Sequence, residues 1–358
     1  MAKIAITGAG SAQANGVINC FLKNGEDTIL GFGADIYDLM LCKAHSKHLI
    51  PYASAPEYKD RFLEVLRKEK PDMLHFQHDQ ELSIALKFQK EIEDIGIRML
   101  VPDYSTIDSC VHKYKSWEKF KSAGIKVPEN IIIKNENDLK YAFQKLGNED
   151  GKVWLRSMKI GGGGKGSLST NDLDTASQWI NGVSGWGEFT AAELLTPKSI
   201  TWLSIWYNGE LVVAQTRKRH EWAHKALSQS GITGVTKVGE TCLDEKVDEI
   251  AISSVQAVSK IPHGVYGVDM TYDMKGIPNP TEINISRFFT TIQFFAEAGL
   301  NMPVILRDLC LYKKFPKLLK KINPLPDGLL WVRGMDCTPR LTTIHEIKEE
   351  IIGAERYL

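Results

Sequence analysis

In its first hundred residues the chain alternates strand-like and helix-like segments, and that order dictates a parallel sheet. Lys3 to Thr7, Asp27 to Phe32, Asp72 to Gln77 and Arg98 to Val101 read as strands, with a helix near Ala14 to Lys23 between the first two. Strands separated by helices line up side by side, with each helix crossing over a face of the sheet. The turn Gly8-Ala9-Gly10 after the first strand invites a dinucleotide fingerprint. Gln13 stands where G-x-G-x-x-G needs its third glycine, so NAD is not the expected ligand. At 358 residues the chain exceeds the size at which a single core keeps growing, and two or three domains are expected.

The middle of the chain changes character. Lys152 to Lys159 reads as a short strand ending in cations, followed by Gly161-Gly162-Gly163-Gly164-Lys165-Gly166. Glycines lack Cβ and reach positive φ cheaply, so successive N–H groups can point into one concavity while Arg156, Lys159 and Lys165 supply positive charge around it. Such a loop suits phosphate, and the guest it suggests is a nucleotide. Its spacing is not that of the P-loop, because Lys165 is followed by Gly166. Taken alone, a glycine tract reads equally well as a linker.

A second motif favours the phosphate reading. Gly264 to Asp273 reads as a strand, Met274 to Pro278 as a turn, and Pro280 to Arg287 as a returning strand, which makes a hairpin. Alternation places Glu282 and Asn284 on one face, and Asp269 can face them from the partner strand. Two carboxylates and an amide oxygen form a hard-oxygen site suited to Mg²⁺, which shares its remaining positions with water and substrate phosphates. The plain alternative is a solvated sheet face.

Lys113, Arg156, the glycine loop, Glu193 and the Glu282-x-Asn284 strand follow one another behind a Rossmann-like N-terminal segment. That order resembles the ATP-grasp superfamily, and within it the carbamoyl-phosphate-synthetase-like branch of stand-alone carboxylate–amine ligases. The similarity runs from residue 3 to about residue 310. It implies an α/β chain with a Rossmann-like (pre-ATP-grasp) parallel sheet over residues 1–107. A two-lobed ATP-grasp α+β module over residues 108–312 would follow, with a lid lobe at about 125–192 and a hinge at about 193–196. Residues 313–358 would form a C-terminal extension packed on the core.

The resemblance also implies roles. Lys113 would contact ATP phosphate, Arg156 the α-phosphate or the adenine side, and Gly161, Gly162, Gly163, Gly164 and Lys165 would close over the phosphates. The backbone of Glu193, Leu194 and Leu195 would meet the adenine edge. Asp269, Glu282 and Asn284 would hold Mg²⁺, with Mn²⁺ as an alternative, and Arg156, Lys165 and Arg287 would act on the transferred group. Two departures from the family stand out. Where an acidic residue often holds the ribose, this chain has Lys198-Ser199-Ile200-Thr201, and the arginine expected two residues after Asn284 is replaced by Ser286, with Arg287 one position late.

The chemistry so implied is an ADP-forming ligation of a small-molecule carboxylate and an amine through an acyl phosphate. The rivals are a kinase that phosphorylates a hydroxyl and a non-catalytic nucleotide-binding regulator, the second disfavoured by the intact Glu282-x-Asn284 pair. A full carbamoyl phosphate synthetase resembles two such units in tandem, which the length excludes.

Several other residues are candidates for substrate contact. Asn208-Gly209 marks a type I′ hairpin turn, and the hairpin closes on Arg217-Lys218-Arg219-His220. Arg217 or Arg219 can pair with a carboxylate or phosphate in bidentate fashion, although a strand end rich in cations also reads as solvated. His220 and His224 lack a third ligand for zinc. His78 and Asp79 follow an N-terminal strand, where open α/β sheets place ligand contacts. Arg333 lies in the extension and would either cover the acceptor site or cap the core. Two further helical stretches are expected, Asp108 to Ala123, stopped by Gly124 and Pro128, and Ile344 to Ile352.

Lys plus Arg and Asp plus Glu are both 44, for a formal net charge of zero, so no nucleic-acid or anionic-membrane partner is expected. The six cysteines have no C-x-x-C spacing, which suits a reducing compartment. No signal-like start and no apolar run near the roughly 20 residues of a membrane span are evident. The expectation is a cytoplasmic enzyme, a homodimer by the default for its size.

Overall fold

The computed structural model describes residues 1–158, 166–223, 234–334 and 344–356. Within them the strands form three sheets. In the first, β1 (Lys3–Ile6), β2 (Thr28–Gly33), β3 (Ser46–Leu49) and β4 (Met73–His75) pair in parallel in the order β3-β2-β1-β4. Ile4, Ala5, Ile6, Ile29 and Leu30 are all buried, as expected when helices cover both faces of a parallel sheet. The helix Ala12–Asn24 starts on a Ser11 cap and ends at Gly25, whose φ of 73° is left-handed.

Arg98 to Val101 does not extend this sheet as a strand. It makes a single bridge to Met73, and Pro102, which has no N–H to donate, ends the run. The sheet grows at its other edge instead. The expected helix over Ile344 to Ile352 stops at Glu350, and β15 (Ile351–Ile352) pairs in parallel with β3. Lys47 Nζ meets Glu350 Oε2 at 3.1 Å, so the end of the described chain is tied to the N-terminal sheet.

The second sheet contains β5 (Asn130–Ile133), β6 (Val153–Ser157), β7 (Ser167–Thr170) and β8 (Phe189–Glu193) in the order β5-β8-β6-β7. Two helices, Glu136–Leu146 and Leu173–Gly182, back it. Its buried residues, among them Leu139, Val153, Leu155, Ile180 and Phe189, form a core of their own. It lies in the segment expected as the lid lobe and is called the lid sheet for that reason.

The third sheet has six strands in the order β13-β12-β9-β10-β11-β14, built from β9 (Ser199–Tyr207), β10 (Glu210–Trp222), β11 (Thr236–Thr241), β12 (Gly264–Tyr272), β13 (Pro278–Ile285) and β14 (Leu330–Val332). Asn208 and Gly209 turn β9 into β10 with φ of 49° and 88°, the positive pair that a type I′ turn needs. Leu203, Ile205 and Val213 pack in one cluster with Ile4, Val17 and Phe21. The first and third sheets therefore share a core, while the lid sheet does not.

The helix expected over Asp108 to Ala123 is two helices, Tyr104–Val111 and Lys113–Ser122, broken at His112 with φ −89° and ψ 95°. The Ser116 hydroxyl donates to the Ser109 carbonyl at 2.7 Å, which satisfies an acceptor that the break would leave open. The break puts Lys113 at the start of the second helix. Among the described residues no helix is long and apolar enough to cross a membrane, and Cys20, Cys42, Cys110 and Cys242 are buried and free.

The Gly8-Ala9-Gly10 turn has a packing explanation. Gly10 has φ of 101°, and a Cβ there would stand 2.2 Å from the Asp38 carbonyl oxygen. Gly10→Ala is therefore expected to lower stability by roughly 3 kcal/mol, read as a shift in the urea midpoint.

Candidate active site

The hairpin of β12 and β13 sets Asp269 opposite Glu282 and Gly267 opposite Asn284. Ile283 and Ile285 point into the core, while Glu282 and Asn284 lie half-buried on the other face. Asn284 Nδ2 donates to Asp269 Oδ2 at 2.8 Å, and the Thr201 hydroxyl donates to Asp269 Oδ1 at 2.5 Å. Asn284 thus turns its amide toward Asp269 and leaves Oδ1 facing outward.

Cations from three other parts of the chain converge on this face. Arg156, on β6 of the lid sheet, donates to Glu282 Oε2. Lys113 Nζ lies 4.0 Å from the same oxygen. Arg287 donates to Asn284 Oδ1, and its Nε sits 3.5 Å from Asp79 Oδ2. Burial works to raise the Glu282 carboxyl, but Arg156, Lys113 and Arg287 outweigh it and hold the group at about 2. Burial first, and then Arg156, lowers Lys113 to about 8 against the opposing pull of Glu282 and Asp79. At neutral pH the ammonium still carries its proton.

The late position of Arg287 is resolved by Ser286. Its φ of 56° is left-handed for a non-glycine residue, and its N–H is held by the Val265 carbonyl at 2.8 Å. The chain turns at that residue and brings Arg287 back over Asn284. Gln77, which the sequence reading missed, fixes the next residue by accepting the Phe288 N–H at 3.2 Å, while the Phe288 ring packs against His75. A buried glutamine at the end of β4 was the available signal.

Not every expected residue comes to this face. His78 caps the helix Asp79–Ala85, its ring nitrogen accepting the Glu81 N–H, whereas Asp79 reaches Arg287. The chain crosses from the lid sheet to the six-stranded sheet between Glu193 and Ser199. There the exposed Glu193 carboxylate accepts the Glu129 N–H at 3.0 Å, and Leu194 and Leu195 are half-buried beside it. Arg217, Arg219 and Arg333 gather around Thr236, with Arg219 NH2 3.8 Å from Asp269 Oδ1. His220 pairs with Glu240 at 2.6 Å. Gly161, Gly162, Gly163, Gly164 and Lys165 lie outside the described residues, as does His224. A surface cleft of about 330 Å³ bounded by Glu210, Val212, Phe315 and Lys321 lies toward the other end of β10 and gathers none of these groups.

The donor set tests the expected metal. Among the described residues no group of three or more His, Cys, Asp or Glu stands close enough to hold an ion unaided. Asp269, Glu282 and Asn284 offer oxygens only, which fits Mg²⁺, an ion that takes one or two carboxylates and completes its shell with water and phosphate. It does not fit zinc, which prefers nitrogen and sulfur in a closed set.

Solved structures share this arrangement of sheets. An L-amino acid ligase from Bacillus licheniformis superposes with a TM-score of 0.65 at 13% identity, covering 87% of this chain and 74% of that one. A carboxyaminoimidazole ribonucleotide synthase from Aspergillus clavatus, complexed with ATP, gives 0.67 at 15% identity over 90% and 79%. A biotin carboxylase from Campylobacter jejuni in complex with β,γ-ATP gives 0.64 at 16% identity over 88% and 72%. The chain has the ATP-grasp fold. No protein-family profile and no curated protein matches it in sequence. The cation-lined face of β12 and β13 lies where the four-stranded lid sheet meets the six-stranded sheet, joined there by Arg156 and Glu282.

Lys113 yields a pH test. Its folded value of about 8 lies below the usual lysine value of 10.5, so between these pH values the unfolded chain binds the extra proton and stability rises with pH. Relative to Lys113→Met, wild type is expected to gain stability from pH 8 to 10.5, as measured by urea denaturation at each pH.

Proposed function

We propose that the chain is an ATP- and Mg²⁺-dependent ligase that activates a small-molecule carboxylate as its acyl phosphate and joins it to an amine. The observation that carries this reading is the meeting of Arg156, Lys113 and Arg287 over Glu282 and Asn284. This meeting occurs in a fold shared with a ligase and with enzymes complexed with adenine nucleotides. In this reading residues 1–107 wall the substrate cleft, residues 108–312 bind the nucleotide, and residues 313–358 brace both.

Each residue then has a task. Lys113 and Arg156 neutralise nucleotide phosphates, the latter from the lid sheet, and the backbone of residues 161 to 164 with Lys165 closes over them. Glu193 to Leu195 border the adenine. Asp269, Glu282 and Asn284 would hold Mg²⁺, which would supply electrostatic stabilisation of the phosphate charge. Arg287, steadied by Asp79, faces the oxygen of Asn284 and can follow the γ-phosphoryl group as it moves.

The bond changes balance simply. A carboxylate oxygen attacks the γ-phosphorus, and the bond to the β-bridging oxygen breaks to release ADP. The amine nitrogen then attacks the acyl carbon, phosphate departs with the C–O electron pair, and the amine proton is lost to phosphate or water. An amine that enters neutral needs little general-base help, so positioning supplies most of the rate. The cations stabilise charge as it spreads over the transferred group.

The test is trapping. With ATP, Mg²⁺ and a panel of carboxylic acids, hydroxylamine is expected to yield the hydroxamate of the true substrate together with ADP, and Arg287→Met to lower that rate by roughly 100-fold. ADP formed from a hydroxyl substrate, with no hydroxamate and no need for an amine, would instead establish the kinase.

A further inference from the structure

Beside the cation-lined face lies a second, more deeply buried pair of guanidinium groups. Strand β10 alternates, so Lys218 and His220 point outward to Glu240 while Arg217 and Arg219 point inward. Arg217 is 1% exposed. Its NH1 donates to the hydroxyls of Thr236 at 2.8 Å and Thr291 at 3.0 Å, and its NH2 to Thr201 at 2.7 Å. Arg219 donates through Nε to Thr236 at 2.9 Å and through NH1 to Ser199 at 2.8 Å. These acceptors are neutral. Among the described residues Arg217 Nε is buried with no hydrogen-bond partner.

Both groups are held in place by more than hydrogen bonds. The Arg219 guanidinium lies 3.7 Å from the Trp222 ring centroid and that of Arg217 4.8 Å from Phe289, contacts that fix planar cations. A Cβ at Gly239 would stand 3.0 Å from Arg217 Cδ, so a glycine there makes room for the stem. Arg333 Nε donates to the Thr236 carbonyl at 2.7 Å and its NH1 to the Thr290 carbonyl at 2.6 Å, which steadies the threonine that both arginines share.

Among the described residues the carboxylate within ion-pair distance of this pair is Asp269, 3.8 Å from Arg219 NH2, and Glu282 pulls on Arg219 from farther away. Its two oxygens face different ways, Oδ1 toward Thr201 and Arg219 and Oδ2 toward Asn284. If Asp269 is committed to the metal site, two desolvated guanidiniums are left facing neutral hydroxyls. Burying such charge without a counter-charge is costly, and burial together with Arg219 already lowers Arg217 below the ordinary arginine value.

We propose that Arg217 and Arg219, with Thr201, Thr236 and Thr291, form a pocket for a dianionic group on the non-nucleotide substrate, with Arg333 as a positioning residue. The claim rests on the ligase reading for the identity of the guest, but the pocket itself is testable alone. Two fixed guanidinium forks and hydroxyl donors match a phosphate or a pair of carboxylates. The pocket abuts Asp269 on the side away from Asn284, so its occupant would lie alongside the phosphates and not among them.

Thermal melts and calorimetry on the full chain decide this, using inorganic phosphate, succinate and acetate at constant ionic strength, each with and without Mg-ADP. The expected result is that phosphate or succinate raises the melting temperature of wild type in a saturable way, whereas acetate does not. Arg217→Met and Arg219→Met should each weaken that binding at least tenfold with Mg-ADP affinity unchanged, and without anion should melt no lower than wild type. A response to phosphate alone assigns a phosphorylated substrate, and one to succinate alone a dicarboxylate. The proposal is overturned if neither dianion binds, if both variants bind them as wild type does, or if both variants unfold. It is also overturned if the phosphate response disappears in Lys113→Met but persists in Arg217→Met, which would place the anion in the nucleotide site. Failure of Mg-ADP to bind wild type would count against the ligase reading and leave the anion result standing.

Discussion

The carboxylate of Glu282 is the constraint around which the cleft is organised. Arg156 comes to it from the lid sheet, Lys113 from the break between two helices, and Arg287 approaches its strand neighbour Asn284. These positive groups are separated by long stretches of sequence and belong to elements that share little else. Without Glu282 they would face one another in a half-buried cleft, and loss of one partner from such a cluster costs on the order of 3–5 kcal/mol. The Arg156 contact also spans the lid sheet and the six-stranded sheet, whose cores are separate. A ligand bringing phosphates and a divalent ion would meet the same groups with complementary charge, so the cluster is suited to exchange one set of partners for another.

The backbone around the cluster is held by devices that place side chains and contribute little to the core. Ser286 adopts a left-handed conformation that costs of order 1 kcal/mol or more and turns Arg287 inward. Gln77 then fastens the following residue to the end of β4. The N-terminal sheet therefore acts on the cleft through Gln77 and Asp79, and the described end of the chain returns to its edge as β15. Arg217 and Arg219 repeat the pattern of charge held in a fixed position, here by neutral hydroxyls.

The sequence disclosed the elements whose period or punctuation is strong. Alternation in Gly264 to Ile285 and the Asn208-Gly209 turn announced both hairpins, and Glu282, Asn284 and Asp269 face one another as the period of two requires. Other features carried no such sign. The break at His112 has neither glycine nor proline, and depends on a hydroxyl from Ser116 to a carbonyl seven residues back. Two isoleucines are too short a run to read as β15. The positive φ of Ser286 falls on a residue type that seldom signals it, so the position of Arg287 looked like a defect. Arg217-Lys218-Arg219 read equally as an anion site or as a solvated strand end, because burial of two arginines depends on threonines from three other segments.

The account stands or falls on a nucleotide and a divalent ion sharing the face of β12 and β13. Isothermal calorimetry of ATP with wild type and Glu282→Gln, each with and without Mg²⁺, tests that most directly. The account predicts that wild type binds ATP with Mg²⁺, and that affinity falls by roughly tenfold or more when either the ion or the carboxylate is removed, with no further loss when both are absent. Binding that is indifferent to Mg²⁺ and to Glu282, or no binding by a folded wild type, would contradict it.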